Sequence, residues 1–75
     1  MSQQIIEAFR QFNDGDVSDT NLRIVIKQLR ETINTLKLMD AATDGRPMHT
    51  LAIRYMHQEL SRAEEYQHAR KYTNP

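Results

Sequence analysis

The chain has no cysteine and no tryptophan, and only two glycines and two prolines among 75 residues. Without cysteine there is no disulfide framework, no thiol nucleophile and no thiolate zinc site. An excess of one charge is also missing, since ten Lys and Arg balance ten Asp and Glu. That balance weighs against broad nucleic-acid binding, because affinity for a phosphate backbone rests on cationic excess. No apolar run approaches the about 18 residues that suggest a membrane span. The start, Met1-Ser2-Gln3-Gln4-Ile5-Ile6-Glu7, lacks the basic and apolar regions of a secretory signal. The expectation is a soluble, cytoplasmic protein with no membrane partner.

Catalytic signatures are missing too. There is no glycine-rich phosphate loop, no G-x-S-x-G and no carboxylate pair with a plausible pocket between them. The stretch His57-Gln58-Glu59-Leu60-Ser61 lacks the second histidine of a zinc-protease helix. His57 and His68 share a helical face but lie about 16 Å apart along it, too far for one ion; His49 stands apart from both. Asp14-Gly15-Asp16-Val17-Ser18-Asp19 gathers three carboxylates. A calcium loop counted from Asp14 would need glycine and glutamate where Asp19 and Val25 stand, so the stretch reads as a turn and a helix cap. No catalytic residue, metal ligand or cofactor is expected, and the chain does not read as an enzyme.

Size sets a further limit. A folded chain of 8.8 kDa exposes roughly 4,800 Å² against roughly 12,800 Å² unfolded, so only about 60% is buried. Residues 1–75 therefore form one domain whose core is marginal without disulfides, metal or partners. Oligomerisation is the remaining support, and a homo-oligomer is expected.

Gly15, Gly45 and Pro47 divide the chain into three segments. In the first, Ser2 suits a helix N-cap, and Ile5, Phe9 and Phe12 follow at helical spacing beside Ile6 and Ala8. Such a short helix is marginal alone and must dock. Asn13-Asp14-Gly15-Asp16 reads as a turn.

The second segment opens on Ser18 as N-cap and Asp19 in the first turn. Leu22, Leu29 and Leu36 recur every seven residues, with Ile26 and Ile33 beside them and Val25 and Met39 widening the stripe. This spacing predicts a helix from about Asp19 to Asp40 or Ala42. Gly45 then suits a left-handed C-cap, and Pro47 the first turn of the next helix.

The third segment runs without a breaker from Pro47 to Lys71. Ala52, Met56, Leu60 and Ala63 form one apolar row; Met48, Leu51, Tyr55 and Tyr66 form a second. Two long helices with a short connection pack antiparallel. The expected fold is all-α: a short N-terminal helix, then an antiparallel helical hairpin, packing as an oligomeric bundle. The leucine and isoleucine face should meet the Ala52, Met56, Leu60, Ala63 row. A hairpin of this size should offer little concavity within one subunit.

Two clusters are candidate binding residues. Arg23, Lys27, Arg30 and Lys37, with Asn34 between, line one helical face. They suit the phosphates of a nucleotide, a nucleic acid or an acidic protein patch, or form a solvated face. Tyr55, Glu59, Arg62 and Tyr66 lie close together on the third helix. They suit a protein interface with tyrosine anchors, a pocket where tyrosines stack on a base and Arg62 holds phosphate, or a polar pair at the edge of the core.

The stretches Asp14-Gly15-Asp16-Val17-Ser18-Asp19-Thr20-Asn21-Leu22 and Leu51-Ala52-Ile53-Arg54-Tyr55-Met56-His57-Gln58-Glu59-Leu60-Ser61-Arg62-Ala63-Glu64-Glu65-Tyr66 together resemble small bacteriophage helical-hairpin proteins. In shape they are similar to the phage sponge proteins that sequester cyclic-nucleotide immune signals, which are all-helical and oligomeric and hold ligands at subunit junctions. No binding residue carries over from that family. The resemblance implies phage origin, a place in the host cytoplasm and a non-enzymatic, anti-defence role. Three functions stay open: binding and modulating a host or phage macromolecule, sequestering an anionic nucleotide between subunits, and regulation through nucleic acid.

Overall fold

The computed structural model describes residues 2–44 and 46–73. Among them are three helices and no strand: α1 (Gln3–Asp14), α2 (Asp19–Ala42) and α3 (Thr50–Thr73). No described helix is long and apolar enough to cross a membrane.

α1 begins where Ser2 Oγ accepts the Ile5 N–H at 3.3 Å, satisfying one orphan donor of the first turn. It runs through Asn13 and Asp14, both expected in the turn. Gly15, at φ 81°, then takes the left-handed position that ends the helix. The Gly15 N–H donates to the Phe12 carbonyl at 3.2 Å and the Asp16 N–H to the Gln11 carbonyl at 3.1 Å, the paired closure of a Schellman motif.

α2 spans the expected residues, capped by Ser18 Oγ accepting the Asn21 N–H at 3.1 Å. Beyond it, Asp44 adopts φ 56°; the C-cap expected at Gly45 lies outside the described residues. α3 starts at Thr50 rather than Pro47. The difference traces to Asp40, whose carboxylate accepts the Met48 N–H at 3.2 Å and the His49 N–H at 3.3 Å. Its Oδ1 also lies 2.7 Å from His49 Nδ1. A carboxylate from the end of α2 thus serves the unsatisfied donors ahead of α3, holding Pro47–His49 outside the helix.

Among the described residues, three pairs of charged or polar side chains join α2 to α3 and to the segment just before it. Asp19 meets Arg70 at 2.7 Å, Arg30 meets Glu64 at 3.5 Å and Asp40 meets His49. Position therefore descends along α3 as it ascends along α2.

The core gathers Ala8 and Phe12 from α1, Val17 from the turn, Leu22, Val25, Ile26, Leu29 and Ile33 from α2, and Leu60 and Ala63 from α3. The seven-residue stripe is buried only as far as Ile33. Leu36 is half-buried and Met39 exposed; on α3, Ala52 is exposed and Met56 half-buried. The row Met48, Leu51, Tyr55 is exposed, and only Tyr66 of that row packs against the core. Ala52 is thus not part of the contact expected of it. The reason is length: α1, at 12 residues, extends about 18 Å, whereas α2 extends about 36 Å. One half of α2 and α3 has a third helix over it; the other half does not.

The molecule is correspondingly elongated, 50 × 27 × 16 Å. Its radius of gyration of 14.2 Å exceeds the about 11 Å of a compact domain of this length.

Candidate functional site

The strip of α3 that carries Tyr55, Glu59, Arg62 and Tyr66 faces α1. At its C-terminal end the Tyr66 ring meets Phe12 edge-on, with centroids 5.9 Å apart. The Arg62 guanidinium carbon lies 4.3 Å from the centre of the same Phe12 ring, a cation–π arrangement. Arg62 also donates to Glu59 Oε2 at 2.7 Å. That carboxylate holds the Arg62 guanidinium pKa above its ordinary value, against a smaller opposing effect of burial. The Arg62 Nε is buried with no hydrogen-bond partner. The structure therefore brings Arg62 and Tyr66 together as the bed on which Phe12 rests.

Tyr55 lies farther along this strip and is exposed. Between it and α1 runs a groove of about 330 Å³. Its floor and walls include Phe9 and Phe12 from α1, Leu29 and Thr32 from α2, and Met56 and Glu59 from α3. This corrects the expectation of little concavity within a subunit: α1 stops short of the far ends of α2 and α3 and leaves a step. The surface of the groove is mostly apolar, with Glu59 at its polar edge.

Beyond the groove, no described residue between Asn34 and Glu59 is fully buried. This two-helix arm carries Leu38, Met39, Met48, Leu51 and Tyr55, each between 49% and 77% exposed. Of the large hydrophobic residues exposed among the described residues, only Ile6 lies elsewhere.

Arg23, Lys27, Arg30 and Lys37 are all exposed on α2. Arg30 reaches Glu64 on α3, while Arg23, Lys27 and Lys37 form no ion pair among the described residues. Arg23, Lys27 and Arg30 border a shallow depression with Gln67, and Arg23 borders a second with Arg70 and Lys71. Lys37 lies outside both.

Sequence reasoning missed Gln11, whose Oε1 accepts the Ser18 N–H at 3.3 Å and Asn21 Nδ2 at 2.9 Å. This amide ties the end of α1 to the cap of α2. A glutamine between Arg10 and Phe12 carries no local signal of such a role. Among the described residues no group of His, Asp and Glu is placed to hold a metal ion. The chain matches no protein-family model, no curated protein and no solved structure.

Proposed function

We propose that the chain is a small non-enzymatic interaction protein, built as a helical hairpin that packs into an oligomeric bundle, which binds and modulates a host or phage macromolecule. The observation that carries this reading is the uncovered arm. Its five large exposed hydrophobic residues share the arm, with Tyr55 at the edge of an apolar groove, and exposed apolar surface of this extent marks a docking site. Tyrosine and methionine, both present there, are favoured at interface centres.

A second reading, an anionic ligand such as a nucleotide or nucleic acid, is supported by Arg23 and Lys27, which form no ion pair among the described residues and border depressions lined also by Arg30, Arg70 and Lys71 and by the carboxylates Glu31 and Asp19.

One set of measurements separates the two. Immobilised protein should retain a specific protein from a bacterial lysate, and Leu51→Glu should lose it. Cyclic nucleotides should leave the melting temperature unchanged, since only a ligand of the folded state raises it. Duplex DNA should not be shifted. A salt-dependent DNA shift or a nucleotide-induced rise in melting temperature, each removed by reversing Lys27 and Arg30 to Glu, would establish the anion reading instead.

A further inference from the structure

We propose that the arm is the site at which a second copy of this chain docks, arm against arm about a two-fold axis that passes between Leu51 and Tyr55 on the exposed face of α3. This rests on the reading of the arm as a docking surface; the dimer formed there is the species that meets the host or phage macromolecule, so Leu51→Glu loses both.

The chain exposes 5729 Å², about 900 Å² more than a folded chain of its mass should. A stable interface takes about 800 Å² from each partner. The surplus belongs to the whole elongated chain, and it is of the size that one isologous contact covers. The chain carries no net charge, so two copies approach without overall repulsion.

A two-fold axis between the exposed Leu51 and Tyr55 makes the two α3 helices cross antiparallel. Counting from that axis, Leu51 of one copy faces the partner's Tyr55, and Met48 reaches the groove beside the partner's Glu59. Methionine, unbranched and flexible, fills irregular apolar gaps, and the groove is about 330 Å³. Exposed Ala52 lies next to the axis, where a small side chain lets the helices approach. One occupant therefore accounts for the exposed row and the groove together.

The test uses the full chain, which has no native cysteine. Sedimentation velocity at micromolar concentration should show a dimer. Leu51→Glu, at an exposed position, should give a monomer with an unchanged helical circular dichroism spectrum. Ala52→Cys should be joined into a covalent dimer by a short bismaleimide linker, whereas Thr20→Cys, at the far end of α2, should not. A monomeric wild-type chain would overturn the proposal and leave the lysate test of a foreign partner standing on its own. A dimer that survives Leu51→Glu, or that links at Thr20→Cys and not at Ala52→Cys, would overturn it by moving the interface elsewhere.

Discussion

The guanidinium of Arg62 lies 4.3 Å from the centre of the Phe12 ring while its Nη2 donates to Glu59 at 2.7 Å. One cation thus links α1 to α3 and fixes where the apolar groove begins. Because the Arg62 side chain is 40% exposed, the ion pair itself contributes little. The stacking and the packing of its stem carry most of the effect. Arg62→Ala should therefore cost about 1–2 kcal/mol and Phe12→Ala about 3–5 kcal/mol in urea unfolding. In a double-mutant cycle the two should be non-additive. Additive losses would show that the ring and the guanidinium are energetically independent.

Burial divides α2 into two halves with different mutational costs. Leu29→Ala and Ile33→Ala remove side chains that are 6% and 3% exposed and should each cost about 2–5 kcal/mol. Leu38→Ala removes one that is 73% exposed and should change the stability of the monomeric Leu51→Glu background by less than about 0.5 kcal/mol. Chemical denaturation of the three variants checks this gradient. Equal costs at positions 29 and 38 would contradict it.

The turn after α1 gives a test of backbone conformation alone. A side chain at Gly15 would meet no heavy atom within 4 Å, so Gly15→Ala leaves only the strain of φ 81°. That strain is about 1–2 kcal/mol for a residue with a Cβ. Gly15→Asn should recover part of the loss, since asparagine tolerates the left-handed region.

Asp40 gives the connection between α2 and α3 a dependence on pH. The His49 side chain, and then the N–H groups of His49 and Met48, hold its carboxyl pKa below the ordinary carboxylate value, against an opposing effect of burial. The folded state therefore releases this proton more readily than the unfolded state does. The stabilisation is full above the ordinary value of about 3.9 and is lost as pH falls through the lower folded value. Wild-type protein should lose more stability than Asp40→Asn between about pH 6 and about pH 3. Equal losses would show that the carboxylate contributes nothing specific.

The caps and the seven-residue stripe made α2 legible, because Ser18, Leu22, Leu29 and Ile33 each act through contacts within one helix or one face. Ser2 and Gly15 marked the ends of α1 for the same reason. What was not legible depended on a third body. Met39, Leu51 and Ala52 share the periodicity of buried neighbours, but periodicity does not say how far α1 reaches. Val17 is buried in a turn where no period applies. Asp40 reads as a helix end, yet it binds residues eight and nine positions on. The strip Tyr55, Glu59, Arg62, Tyr66 could be drawn from spacing alone, but its division into a packed half and an exposed half follows from the length of α1.

Native mass spectrometry of freshly purified protein, wild type beside Leu51→Glu, tests the account most directly. The uncovered arm predicts a wild-type species of twice 8.8 kDa with no additional mass, and a variant at the monomer mass. A wild-type monomer at every concentration would contradict the pairing of the arm with a second copy. An oligomer carrying a few hundred extra daltons that Leu51→Glu leaves intact would contradict it as well, and would point to a small anionic ligand held between subunits.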